Sequence, residues 1–128
     1  MRAPHRGGPI SRLDEAWNID PDRRCYHMPR AHSHCWLALT GRHTAEMLAK
    51  VCGVDMRTHK FADGNVAQTS IARLNGILIR NDLGDTTAFY LLADCASADY
   101  LWPCLLDAMD EFDGAPVGLE ALLALKDG

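Results

Sequence analysis

The sequence predicts an α+β domain in which an antiparallel sheet carries helices on one face. Three observations lead there. Residues 66 to 74 alternate between two side-chain sets, Val66, Gln68, Ser70, Ala72 and Leu74 against Ala67, Thr69, Ile71 and Arg73, which is the period of a strand. Two other segments space apolar residues by three and four, as a helix with one buried stripe does. Between these lie turn dipeptides, Asp63-Gly64 and Asn75-Gly76, suited to short antiparallel connections.

A chain of 128 residues is one domain by length and can bury a core unaided. With 48% hydrophobic and 23% charged residues, its composition is that of a globular protein rather than a disordered one. The N-terminal portion, residues 1–24, is expected to be an arm with a short helix, and residues 25–128 a single α+β domain. In the arm, Gly7-Gly8-Pro9 is flexible, and Ser11 with Asp14 three residues later forms a capping-box pattern that predicts a helix over about residues 12–18. The helix should stop before Asp20-Pro21, because a residue preceding proline is pushed out of the helical region.

Residues 34–40 are short, aromatic and compatible with a strand, and Gly41 marks the turn out of it. Ala45, Leu48, Val51 and Cys52 then form a helical stripe over residues 42–52, with Gly53 placed to end it as a left-handed C′ residue. After the alternating run, the primed-turn dipeptide Asn75-Gly76 predicts a hairpin returning through Ile77-Leu78-Ile79-Arg80. Ala88 to Leu92 is the next strand. Ser97 can cap a helix whose buried stripe is Leu101, Cys104, Leu105, Ala108, Met109 and Phe112. Pro103 falls beyond its first turn, where it removes a hydrogen bond at a cost of about 3 kcal/mol, so a bend or a later start is expected. A last helix should cover about residues 119–125. The order strand, helix, three strands, helix predicts a split β-α-β, ferredoxin-like arrangement.

Charge and cysteine usage exclude several functions. A net charge of -4 leaves no basic stripe for nucleic acid, and Arg23-Arg24 is flanked by Asp20 and Asp22. No apolar run approaches membrane-spanning length, and no apolar region follows the first arginines, so a cytoplasmic protein is expected. Five cysteines, at 25, 35, 52, 95 and 104, do not form a disulfide framework, and Cys52, Cys95 and Cys104 read as small buried hydrophobes.

The cluster Cys25-Tyr26-His27, His32, His34 and Cys35 carries zinc-ligand chemistry in a spacing that zinc sites do not use. His34 and Cys35 would also point to opposite faces of a strand, so no metal site is expected. His34 or His43 beside a thiol could in principle activate it, but nothing in the sequence fixes that geometry, and no catalytic residue is expected. Asp107, Asp110 and Glu111 are the wet face of the last long helix. Gln68, Thr69 and Arg73 stand out instead, because polar side chains on a mixed strand face meet water, a ligand or a partner. They are the candidate contact residues. Trp17, Trp36 and Trp102 are candidates for an interface, with core packing the commoner fate.

Three segments carry a family likeness: Phe61 through Asn75, Phe89-Tyr90-Leu91-Leu92-Ala93-Asp94, and Tyr100-Leu101-Trp102-Pro103-Cys104 onward to Glu111-Phe112. Together with Leu39-Thr40-Gly41 and Leu48 to Asp55, they resemble the gamma subunit of heterotetrameric sarcosine oxidase over about residues 30–125. More remotely the family is similar to the folate-binding aminomethyltransferases of the glycine-cleavage type. The His/Cys-rich lead-in, the short stretch before His34 and Pro103 depart from the family pattern. The resemblance implies part of a folate-binding fold and a small subunit of a flavoenzyme complex that oxidatively demethylates sarcosine or a related N-methyl amine. It also implies larger flavoprotein subunits as partners, which hold FAD, FMN, NAD and tetrahydrofolate, while this chain alone binds no cofactor.

Overall fold

The computed structural model describes residues 8–24, 26 and 28–127. The chain divides into two compact units, residues 1–30 and 31–128. In the first, α1 spans Pro9–Ala16 and begins earlier than the capping pattern suggests. Pro9 takes the first helical position, where its fixed φ is suited and its missing N–H costs nothing, so Ser11 lies inside the helix and Gly8 is the cap. Trp17 is extended and ends α1, and Asp20 then folds a tight turn by pairing with Arg23 and accepting the Asp22 amide.

The second unit contains β1 (His34–Thr40), α2 (Thr44–Val51), β2 (Val66–Ile71), β3 (Leu74–Arg80), β4 (Ala88–Asp94), α3 (Ala98–Asp110) and α4 (Leu119–Asp127). The four strands form one sheet in the order β1-β4-β3-β2, each pair antiparallel. That order differs from a split β-α-β unit. The strands that α2 joins, β1 and β2, lie at the two edges and run antiparallel, whereas the split unit brackets one strand between a parallel pair. Tight connections make β2, β3 and β4 pair in succession, so β1 adds to the remaining edge of β4.

Alternation sets what each face of the sheet does. Leu37, Leu39, Ile71, Leu78, Phe89, Leu91 and Ala93 face one side, where they join Met47 and Leu48 of α2 and Leu101, Leu105 and Ala108 of α3 in a single apolar cluster. Met56 and Phe61, from the segment between α2 and β2, complete it. Helices α2 and α3 therefore cover the same face, as expected.

Four local readings are corrected by tertiary structure. The hairpin turn falls at Ala72 and Arg73, both with positive φ, so Asn75 and Gly76 lie inside β3. Contacts from two helices hold the turn there: the Ala72 amide donates to Val51 O at 2.8 Å, and Tyr100 Oη donates to Ala72 O at 3.1 Å. Gly76 serves packing instead, because a Cβ there would stand 2.6 Å from Ile71 Cδ1. Second, α2 ends when Cys52 turns extended to bridge Ile71, without a left-handed Gly53. Third, α3 starts at Ala98, directly after Ser97, and includes Pro103, so the later start is not taken. Both Pro103 and Asp99, whose carbonyl loses its donor, are exposed, so water can satisfy the orphaned acceptor. Fourth, Cys95 is exposed, its thiol 3.9 Å from His32 O, while Cys52 is buried and Cys104 half-buried.

Candidate functional site

The three candidate residues on and beside β2 do not converge. Gln68 is exposed on the sheet face away from the helices, Thr69 faces the helices opposite Gly76, and Arg73 sits in the hairpin turn. Adjacent strand residues take opposite faces, so Gln68 and Thr69 cannot line one site.

Gln68 instead ends a row whose other members are apolar. Strand register places Trp36, Leu92, Ile77 and Gln68 side by side across the four strands, and Ala38, Tyr90, Ile79 and Val66 form the next row. Neither α2 nor α3 packs on this face. Trp36 is 68% exposed and Val66 59%, and Tyr90, Leu92, Ile77 and Ile79 are only partly buried. Trp36 is held edge-on against Tyr90, with ring centroids 5.5 Å apart. Trp36 and Trp102 are thus surface residues, contrary to the commoner fate of tryptophan, because β1 is an edge strand and Trp102 lies off the buried stripe of α3.

A groove of about 540 Å³ runs beside β1. It is bounded by residues 36–44, by Trp102, Leu106 and Phe112 around α3, and by the segment from Gly114 to Leu122. Its charged or titratable lining groups are Arg42 and His43. His43 stacks on Phe112 at 5.4 Å and meets Glu46 at 2.6 Å, while Lys50 lies over the same ring and donates to Ala108 O at 3.1 Å. These contacts tie α2 to the end of α3.

The strongest polar constellation is structural and had no signal in any motif. Arg80 is 8% exposed and faces the helix side of β3. Its guanidinium forks onto Asp82 with N–O distances of 3.1 and 2.6 Å and also donates to Phe61 O and Thr58 O. Asp82 in turn accepts the Ala88 amide. The bonds from Arg80 and, secondarily, the Ala88 amide hold Asp82 below the usual carboxylate range, against the opposing effect of burial. All three guanidinium nitrogens bond within the chain, so the group pins the 58–63 segment to the sheet. Arg57 likewise holds exposed Asp55 well below the carboxylate range.

Around the His/Cys cluster, Cys25 and His27 lie outside the described residues. His34 Nδ1 meets Ser33 Oγ at 2.8 Å, and Cys35 packs toward the core from the other face of β1. Among the described residues no imidazole hydrogen-bonds a thiol, no group of three or more His, Cys, Asp or Glu side chains could hold a metal ion, and no helix is long and apolar enough to cross a membrane.

No protein-family model matches the sequence, and no curated protein matches it. Among solved structures, the chain is similar to a chain of heterotetrameric sarcosine oxidase from Corynebacterium sp. U-96, solved in complex with pyrrole 2-carboxylate. The TM-score is 0.61 at 26% sequence identity, over 70% of this chain and 44% of that one. The chain thus spans less than half the length of the oxidase chain it matches, and its α+β body is similar in structure to part of that heterotetrameric enzyme.

Proposed function

We propose that this chain is a small, non-catalytic subunit of a sarcosine-oxidase-like flavoenzyme complex, acting in the oxidative demethylation of sarcosine or a related N-methyl amine. The observation that carries the reading is the structural similarity to a sarcosine oxidase chain at 26% identity over 70% of this chain. The open sheet face supports it, because contiguous apolar surface on a folded domain marks an interaction site. The likeness within Phe61 to Phe112 to the gamma subunit points to larger flavoprotein subunits as the partners.

In this reading FAD, FMN, NAD and tetrahydrofolate belong to those larger subunits. The lining of the groove beside β1 includes no carboxylate, so the acceptors it offers to the amino edge of a pterin are the Thr40 and Thr44 hydroxyls and backbone carbonyls. A second reading, a stand-alone module for folate or another small ligand, draws on the volume of that groove, about 540 Å³, and its lining suits an apolar ligand better. Titration of the isolated protein with tetrahydrofolate separates the two. Affinity isolation of the tagged chain from its native source tests the first directly. Co-purification with larger, flavin-bearing subunits is expected, and recovery as a monomer or homo-oligomer without a flavoprotein contradicts it.

A further inference from the structure

The outer edge of β1 presents a backbone that is unpaired among the described residues. The Cys95 amide donates to Ser33 O at 3.0 Å and the Gly41 amide to Thr87 O at 3.1 Å, which fixes the phase of the ladder between β1 and β4. Hydrogen-bonded pairs alternate in an antiparallel ladder, so Cys35, Leu37 and Leu39 turn their N–H and C=O groups toward β4. Trp36, Ala38 and Thr40 turn theirs away from the sheet. None of those outward groups has a hydrogen-bond partner among the described residues.

Edge strands of self-sufficient domains are usually blunted by lysine, proline, a bulge or a covering element. β1, His-Cys-Trp-Leu-Ala-Leu-Thr, has no lysine or proline and pairs with β4 in unbroken register. The groove touches consecutive residues from Trp36 to Thr44. Because neighbouring strand side chains alternate in face, a groove that touches all of them follows the backbone edge. Its wall is apolar, from Trp102, Leu106, Phe112, Val117 and Leu122, and its lining includes Arg42, which is exposed and has no carboxylate partner among the described residues.

We propose that an extended segment of the larger subunit adds to β1 as a fifth strand, setting alternate apolar side chains into this groove and a carboxylate against Arg42. The inference rests on the subunit reading above and adds to the open sheet face a second contact at the β1 edge. Main-chain bonds to Trp36, Ala38 and Thr40 supply the affinity of such strand addition, and the groove and Arg42 select the sequence. Arg42, with no carboxylate in the groove lining to balance it, makes the occupant an acidic, alternating segment.

The test is hydrogen exchange on the co-purified complex and on the isolated chain. The amides of Trp36, Ala38 and Thr40 should exchange freely in isolation and become protected in the complex, while those of Cys35, Leu37 and Leu39 are protected in both. Ala38→Pro removes only an outward N–H, which an edge strand tolerates, and should weaken association roughly tenfold or more with the fold retained. Arg42→Glu should weaken it while leaving the fold untouched, which keeps the test open should Ala38→Pro misfold. A complex that forms without new protection at these amides, and that survives both substitutions, overturns the proposal and leaves the subunit reading standing. Protection already present in the isolated monomer, or appearing only in a homodimer, overturns it in favour of the chain's own segment or a second copy. Failure of the wild type to recover any flavoprotein overturns both readings.

Discussion

The two faces of one sheet differ in what finishes them. On the helix side, Leu78, Phe89 and Leu91 are fully buried beneath Leu48, Leu101 and Leu105. On the other side, Ile77, Ile79, Tyr90 and Leu92 are as apolar but lack that helical cover. The same strands supply both sets, alternating residue by residue. The comparison teaches that this chain specifies its fold with one face and holds a second apolar face in reserve, and the two should respond differently to substitution.

The largest effect is expected on the sealed face. Leu91→Ala should destabilise the isolated chain by about 2–5 kcal/mol in urea unfolding, because it removes transfer energy and leaves a cavity under two helices. Arg80→Ala should follow at about 2–3 kcal/mol, since it strands the Phe61 and Thr58 carbonyls and leaves Asp82 without its cation. This contribution is pH-dependent. Asp82 has a folded pKa below its unfolded one, so its stabilisation is complete above the ordinary carboxylate range near about 4 and is lost as pH falls through the depressed folded value. Asp82→Asn should therefore narrow the stability difference between neutral and acidic buffer.

Gly76→Ala is intermediate. The added Cβ presses on the flexible tip of Ile71 and on Leu91 Cδ1, and about 1 kcal/mol is expected. A measured stabilisation would mean that the tip swings aside freely. On the open face, Ile77→Thr should cost the isolated chain least, about 1 kcal/mol or under, yet reduce recovery of the larger subunit. A large loss of stability there would erase the distinction between the faces.

How much of this the sequence revealed follows the range of the forces involved. The period-2 run as far as Ile71, the stripe of Leu101, Leu105 and Ala108 and the Asp63-Gly64 turn, with Gly64 at φ +83°, act locally and are legible. The hairpin position is not, because Asn75-Gly76 has the better local turn chemistry and the Val51 and Tyr100 contacts that fix Ala72-Arg73 come from distant segments. Arg80 looks like the polar end of a strand until Asp82, Thr58 and Phe61 are brought around it. For the contact residues, Gln68 shares a row with Trp36, Leu92 and Ile77, but Thr69 and Arg73 do not join it, since a single strand cannot show which of its faces the helices will cover.

The most direct test of the central claim is the flavin absorbance co-recovered with a tagged chain from its native source, compared between wild type and Ile77→Ser/Ile79→Ser. The account predicts flavin-bearing subunits with the wild type, and a loss of most of that absorbance in a variant that still folds. Equal flavin recovery by a folded variant, or none with the wild type, would contradict it.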